Sequence, residues 1–175
     1  MASPDELKKQ ALMDGLGDDE IEKVSALLET ITLAKGQPAF RENEPTRGIY
    51  MINSGKIEIK RKLQLDTKTK MLVMLRNIQS SEIRHTAGGW EHVFSTLEKL
   101  QFFGELSIIE NRKKHGAEAV AVEDTELLLL GVDAFLALET SDRAIMLKVM
   151  RTIARTASAN VRQLDRRILK ALIGQ

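Results

Sequence analysis

The sequence predicts a mainly β fold with flanking helices, built as an antiparallel sandwich or barrel. From residue 31 onward, short apolar runs are separated by glycine, proline and asparagine turns, which is the pattern of successive antiparallel strands. Apolar residues recur at helical spacing before this region and again after it. The chain of 175 residues is long enough for one such domain with an appendage.

The elements are predicted in the following order. Residues 18–30 form a helix that Asp18 or Asp19 caps. Its apolar stripe consists of Ile21, Val24, Leu27 and Leu28. The predicted strands are 31–34, 39–40, 48–52, Lys56–Leu63 and 71–75, followed by a hairpin of 120–122 and 126–130. Residues 78–92 are polar and irregular and predict a long loop. From residue 132 to 172 the period is helical.

The composition is that of an ordinary globular protein, with 43% apolar residues, 29% charged residues and a formal net charge of +1. The absence of cysteine excludes disulfides, thiolate nucleophiles and cysteine zinc sites, and it predicts a cytoplasmic location. No apolar run approaches the ~18 residues of a membrane span, so no membrane contact is expected. Catalytic motifs are lacking, and His85 and His92 lie in no carboxylate cluster. Neither an enzyme nor a metal site is therefore predicted.

One short segment carries the clearest functional signal. Residues 102–109 read Phe-Phe-Gly-Glu-Leu-Ser-Ile-Ile. Gly104 lets the backbone approach a ligand closely, and a helix that starts there directs free N–H groups at an anion. The Glu105 carboxylate only accepts hydrogen bonds, which suits a sugar hydroxyl. The same acid also suits a helix start through the helix dipole, so both interpretations of Glu105 stay open.

Three motifs, in this order, resemble the cyclic nucleotide-binding domain family. Residues 35–42 (KGQPAFRE) resemble its early strand-turn-strand segment, residues 48–57 (GIYMINSGKI) its central strand pair, and residues 103–107 (FGELS) the opening of its nucleotide-binding cassette. The resemblance covers residues 16–172. It implies a β-barrel jelly roll, a cupin-like double-stranded β-helix, with an N-terminal helix and a long C-terminal helix.

The resemblance also implies a ligand, cyclic AMP or cyclic GMP, bound inside the barrel without a metal. The family's glutamate that binds the ribose 2′-hydroxyl corresponds to Glu105, and its phosphate-binding amides correspond to residues 104–106. The implied ligand-binding residues are Phe103, Gly104, Glu105, Leu106, Ser107, His115, Gly116 and Ala117.

His115 departs from the family pattern. Alignment on Ala117 places His115 where the family has the arginine that pairs with the phosphate, and Gly116 where it has serine, threonine or alanine. A neutral imidazole lacks the forked donor set of a guanidinium, and loss of such a charge-assisted contact costs about 2–3 kcal/mol. Three roles are open for His115: a substitute phosphate ligand, a pH-sensitive switch, or a neutral side chain in an empty pocket. Residues 112–114 (RKK) offer other cations nearby.

The last helix carries an apolar seam at alternating steps of three and four residues. The seam consists of Leu147, Met150, Ala154, Ala157, Val161, Leu164, Ile168 and Ala171. This pattern predicts a two-stranded coiled coil, although a helix that packs on its own barrel also gives an apolar stripe. In the resembled family, bacterial transcription factors dimerise through this helix. The predicted division is therefore an N-terminal extension (1–15), a nucleotide-binding-like β-roll (16–142) and a dimerisation helix (143–175).

The sequence thus predicts a regulatory sensor domain without an output domain, which forms a homodimer and signals through the last helix to a separate protein partner. The alternative is a degenerate member that binds no nucleotide and serves as a dimeric interaction scaffold. Nucleic-acid binding by the basic last helix is a third hypothesis. It is disfavoured because the basic residues are dispersed around the helix and no recognition helix follows.

Overall fold

The protein folds as two antiparallel β-sheets that enclose an apolar core, with short helices before them and a long helix after them. The structure is a computed structural model that describes residues 4–69, 71, 83–86 and 88–173. Its helices are α1 (Pro4–Leu7), α2 (Asp18–Ser25), α3 (Glu105–Ile109), α4 (Val132–Ser141) and α5 (Arg143–Ile173), and a 3₁₀ turn spans Ala11–Met13. Its strands are β1 (Leu28–Leu33), β2 (Pro38–Phe40), β3 (Gly48–Ser54), β4 (Lys56–Leu63), β5 (Ile83–Thr86), β6 (Gly89–Glu98), β7 (Phe102–Phe103), β8 (Glu118–Ala121) and β9 (Thr125–Gly131).

Strand β3 divides the core into two halves. One sheet has the strand order β1-β9-β3-β7 and the other β2-β8-β4-β6-β5. Because successive side chains of a strand point to opposite faces, Tyr50 and Ile52 pack against the second sheet, whereas Ile49 and Met51 pack under the helices. All four side chains are fully buried. This arrangement confirms the mainly β fold class with flanking helices.

Residues 7–13 contribute to the helical half of the core. Leu7, Leu12 and Met13 are buried in the same cluster as Ile145 and Ile153 of α5. The described part of the segment predicted as an extension (1–15) therefore packs on the domain, and it shares a core cluster with the first half of the last helix.

Two helix boundaries differ from the prediction. The predicted helix 18–30 ends at Ser25, because Leu28 already pairs with Leu130 in the ladder between β1 and β9. The cap also differs, since Gly17 precedes α2 and its N–H donates to the Glu20 carboxylate at 2.7 Å. The helical region from residue 132 onward is divided at Asp142, whose extended φ of −145° separates α4 from α5.

The prediction of a long loop at 78–92 is wrong where the structure describes it. Residues 83–86 and 89–92 belong to β5 and β6, which form an edge hairpin with Gly89 at a φ of +108°. Their polar side chains misled the prediction, because an edge strand exposes charged residues such as Arg84, which bridges to Glu58 at 2.9 Å. Residues 78–82 and 87 lie outside the described residues, as do residues 72–75 of the predicted strand 71–75.

The predicted hairpin of 120–122 and 126–130 is also wrong, although both strands exist. Strand β8 pairs with β2 and β4, whereas β9 pairs with β1 and β3, so the two strands lie in different sheets. The turn at Glu123 and Asp124 therefore crosses between the sheets. Sequence spacing alone does not distinguish such a crossing from a hairpin, because both need a short turn between two strands.

The close packing of β3 on β9 gives a first test. A Cβ at Gly48 would lie 2.2 Å from the Leu130 carbonyl oxygen, so Gly48→Ala should destabilise the fold by about 1–3 kcal/mol in urea unfolding. The matched control is Gly131→Ala at its cross-strand partner, where φ is −62° and the Cβ would meet its nearest atom at 3.9 Å. Equal stability of the two variants would contradict this packing.

Candidate functional site

A cavity of about 790 Å³ opens between the second sheet, the β7–α3 segment and α5. The residues predicted from the sequence all line it, namely Phe103, Gly104, Glu105, Leu106, Ser107, His115, Gly116 and Ala117. The fold thus brings residues 103–107 and 115–117 to one concave surface. Their role in binding a ligand stays a prediction.

The backbone at Gly104 fixes the position of the glutamate that follows it. Gly104 has a φ of +90°, and a Cβ there would lie 2.7 Å from the Gly48 carbonyl oxygen and 3.2 Å from the Tyr50 ring. Both the left-handed conformation and the lack of space therefore require glycine. The chain turns at this point, and Glu105 becomes the first residue of α3 at the cavity wall.

Glu105 is an acid without a partner side chain. Burial raises the pKa of its carboxyl above the usual range, and only the hydrogen bond with its own backbone N–H acts against that shift. No other side chain in the described part of the chain bonds to it. An acceptor that faces a cavity and has no side-chain donor is suited to a hydroxyl group of a ligand.

His115 is a buried neutral side chain. It is 2% exposed, and its ring stacks on Phe40 with the ring centroids 3.6 Å apart. Its Nδ1 lies 3.4 Å from the Ser107 hydroxyl, and its Nε2 has no hydrogen-bond partner among the described residues. Burial lowers the pKa of His115 from 6.5, although the Glu44 carboxylate acts in the opposite direction. His115 therefore supplies no permanent positive charge near neutral pH.

Backbone hydrogen bonds hold the loop that carries His115. His115 N–H donates to the Glu44 carbonyl, and Asn43 N–H donates to the His115 carbonyl, each at 2.9 Å. Thr46 N–H donates to the Lys113 carbonyl at 3.0 Å, and the Thr46 hydroxyl donates to the Arg112 carbonyl at 2.8 Å. The connection between β2 and β3 therefore sets the position of residues 112–115.

The cations at the cavity differ from those expected. Of residues 112–114, Arg112 lines the cavity and the two lysines do not. Sequence reasoning missed Arg61, a second arginine of the cavity wall. A signal was available, because Arg61 continues the inward series of Ile57 and Ile59 along β4, where an apolar residue is the norm.

Helix α5 forms the other wall of the cavity. Its lining residues recur at helical spacing and are Thr156, Asn160, Gln163 and Leu164. Sequence reasoning assigned this helix to dimerisation and signalling and not to the ligand site, although three of these residues form a polar stripe beside the apolar seam. The cavity and the last helix are therefore in direct contact.

Two further features of the described residues bear on the class of protein. They contain no group of three or more histidine, cysteine, aspartate or glutamate side chains placed to hold a metal ion. Their helices include none with the length and apolar character that a membrane crossing requires.

Two antiparallel sheets with a cavity between the second sheet and a long last helix define a mainly β domain with flanking helices. The chain belongs to the cyclic nucleotide-binding domain family, whose model matches residues 30–142. This match confirms the resemblance that the three sequence motifs indicated.

Relatives by sequence and by structure agree with this family. The cyclic AMP receptor protein of Thermus thermophilus is 27% identical over 132 residues, and the match covers 75% of this chain and 50% of that protein. The chain thus spans about half the length of this curated relative. A crystal structure of a cyclic nucleotide-binding domain from Methylobacillus flagellatus has a TM-score of 0.72 at 16% identity, and covers 96% of this chain and 83% of that one. The regulatory domain of Toxoplasma gondii PKA with cAMP has a TM-score of 0.63 at 19% identity, with 89% and 48% covered. At these identities the two structures show the fold alone.

The burial of His115 predicts a pH-dependent stability. Because its folded pKa is depressed, the unfolded chain binds a proton at higher pH than the folded chain. The stability from neutral His115 is present above pH ~6.5 and is lost as the pH falls toward the folded value. The free energy of unfolding, measured in urea from about pH 7.5 to about pH 5.5, should fall less steeply in His115→Phe than in the wild type.

The same substitution at the exposed His85 is the matched control and should keep the wild-type slope. If His115→Phe and His85→Phe have the same pH dependence, His115 is not buried as a neutral side chain.

Proposed function

We propose that the chain is a cytoplasmic regulatory domain that binds a cyclic nucleotide, cyclic AMP or cyclic GMP, and transmits the binding event through α5 to a protein partner. The observation that carries the proposal is the cavity itself, because Glu105 forms one wall and Thr156 and Asn160 of α5 form the other. A nucleotide that reaches both walls would connect the cassette to the helix. This function is binding and not catalysis.

Each part of the cassette then has a task. The unpaired Glu105 carboxylate accepts a hydrogen bond from the ribose 2′-hydroxyl. The backbone at Gly104 brings the following N–H groups to the cyclic phosphate, since no side chain stands between backbone and ligand there. Polar side chains of α5 face the rest of the nucleotide.

The two halves of α5 suit a transmitting role. The first half is fixed to the domain, because Ile145, Val149 and Ile153 are buried and Lys148 bridges to Glu20 at 2.6 Å. From Thr156 onward the helix contacts the domain through the cavity. A ligand that binds better to one position of this second half shifts the helix toward that position.

The exposed seam of α5 supports a homodimer, which in turn contacts the separate protein partner. Leu147, Val161, Leu164 and Ile168 are 54%, 66%, 55% and 49% exposed, respectively. Packing on the chain's own barrel accounts for the face that includes Ile145 and Ile153 and, of the seam, for Met150. An apolar stripe that repeats in this way along a helix is typical of an interface. In this proposal residues 143–175 are the dimerisation helix and residues 16–142 are the sensor.

A non-binding dimeric scaffold is the second candidate function, and the neutral His115 at the expected phosphate position is the observation that favours it. Calorimetry with cyclic AMP and cyclic GMP distinguishes the two candidates. A nucleic-acid contact has less support, because Arg155 is paired with Asp14 and Lys148 with Glu20.

Calorimetric titration of Glu105→Gln tests the site. The substitution replaces a charged acceptor by a neutral one, so affinity for the cyclic nucleotide should fall roughly 10- to 100-fold. The substitution should not lower the free energy of unfolding at neutral pH. Because the folded pKa of Glu105 is raised, its contribution to stability is lost as the pH rises through that value, and the amide removes this cost.

Glu123→Gln, at an exposed turn away from the cavity, is the matched control and should bind as the wild type does. Unchanged affinity in Glu105→Gln would show that the nucleotide does not use this carboxylate. A wild type that binds neither nucleotide would leave the scaffold function in its place.

Sedimentation of Val161→Lys tests the seam. Val161 belongs to the seam and does not line the cavity, so the substitution leaves the ligand site intact. Burial of a lone ammonium costs several kcal/mol, and the variant should run as a monomer. Ala159→Lys, at an exposed position off the seam, should remain dimeric. A wild type that is monomeric at concentrations on the order of tens of micromolar would contradict the dimer.

A further inference from the structure

Two guanidinium groups flank Gly116 at the cavity wall. A Cβ at Gly116 would lie 3.1 Å from Arg112 Nη1 and 3.6 Å from Arg61 Nη2. The arginines come from different elements, since Arg61 is on β4 and Arg112 follows α3. Both line the cavity. The lack of a side chain at residue 116 is therefore what lets the two cations approach one point.

Arg61 is held by its Nε edge, with donors to spare. Its Nε donates to the Gly116 carbonyl at 3.0 Å, and its Nη2 bonds to the same oxygen. Its guanidinium lies 5.5 Å from the centre of the Phe94 ring, and Glu42 approaches its Nε at 3.5 Å. In the described part of the chain, no group bonds to Arg61 Nη1. The side chain is thus oriented but not saturated.

Arg112 is also held at its Nε, although by an acid alone. Its Nε contacts the Glu110 carboxylate, and its Nη groups make no hydrogen bond to any described residue. Its backbone is fixed by the N–H bond to the Ser107 carbonyl at 2.7 Å and by the Thr46 hydroxyl at 2.8 Å. Both acids contact Nε atoms, and the Gly116 carbonyl takes Arg61 Nη2. Among the described residues, Arg61 Nη1 and both Nη groups of Arg112 therefore stay available to an anion.

His115 adds a neutral donor to the same wall. Its ring lines the cavity, and its side-chain atom Nε2 is buried without a partner in a residue that is 2% exposed. If the Ser107 hydroxyl donates to Nδ1, the proton of the neutral ring is on Nε2. A buried donor without an acceptor is rare in folded proteins, and an anion in the cavity would satisfy it.

We propose that Arg61 and Arg112, with His115 Nε2 as a neutral donor, form an anion subsite that holds the cyclic phosphate of the ligand. The proposal rests on nucleotide binding in this cavity. It assigns the positive charge that pairs with the phosphate to Arg61 and Arg112 and not to position 115. Gly116 is then a specific requirement, because a side chain there would occupy the space between the guanidinium groups.

The test is calorimetry with cyclic AMP on the full chain carrying Arg61→Met or Arg112→Met. Each change removes charge-assisted hydrogen bonds, so each should weaken binding about 10- to 100-fold. The matched controls are Lys62→Met, next along β4, and Lys113→Met, next along the loop; both lysines are exposed and do not line the cavity. These controls should bind as the wild type does, and thermal melting should show that every variant is folded.

The variant Arg61→Lys distinguishes a role of Arg61 in binding the anion from a role in holding the Gly116 carbonyl. A lysine keeps the positive charge and loses the forked donor set, so its affinity should lie between that of the wild type and that of Arg61→Met. If Arg61 only braces the Gly116 carbonyl, Arg61→Lys should be as weak as Arg61→Met, and the anion subsite is overturned.

The calorimetry distinguishes failure of the anion subsite from failure of the proposed nucleotide binding. If the wild type binds cyclic AMP and either methionine variant binds equally well, the two-arginine subsite is wrong and the proposed function stands. If the wild type binds no cyclic nucleotide, both proposals fail.

Discussion

The close approach of Gly104 to β3 is the contact on which the rest of the site depends. Its backbone lies against the Gly48 carbonyl and the Tyr50 ring, where any side chain would collide. This contact turns the chain from β7 into α3 and places Glu105 at the cavity wall. Since β3 is buried on both faces, the cassette is attached to the most rigid part of the core. Burial of the Glu105 carboxylate disfavours its charged form. The rigid attachment to β3 nevertheless holds this carboxylate at the cavity wall, where a ligand can reach it.

Charge at the cavity is distributed differently from the family pattern. The position expected to carry the arginine holds a buried neutral imidazole, stacked on Phe40. Guanidinium groups instead arrive from β4 and from the loop after α3, and they meet beside a glycine. Guanidinium groups at these positions can donate the same charge-assisted hydrogen bonds to a phosphate, because the bonds depend on where the donors lie in space and not on their order along the chain. Helix α5 completes the enclosure, so that a bound ligand would contact both the fixed core and the element that carries the exposed apolar seam.

Sequence patterns predicted local elements well where burial and periodicity agree. The strand Lys56–Leu63 has the predicted bounds, because its alternation of isoleucine with charged residues is unambiguous. Leu28 was assigned to a helix, because nothing in the neighbouring sequence indicates that it pairs with the distant Leu130. Residues 103–107 and 115–117, which line the cavity, were predicted from the cassette motif and from alignment on Ala117. Arg61 was missed, because its distance to Gly116 depends on the pairing of β4 with β8. The burial of His115 likewise depends on Phe40 of β2, which lies far from it in the sequence.

A crystal structure of the chain with cyclic AMP is the most direct test of the account. The ribose 2′-hydroxyl should lie about 2.5–3.0 Å from the Glu105 carboxylate, with the base toward α5 and the phosphate beside Gly116. A cavity that stays without nucleotide in the presence of millimolar ligand, or a nucleotide whose ribose faces away from Glu105, would contradict the account.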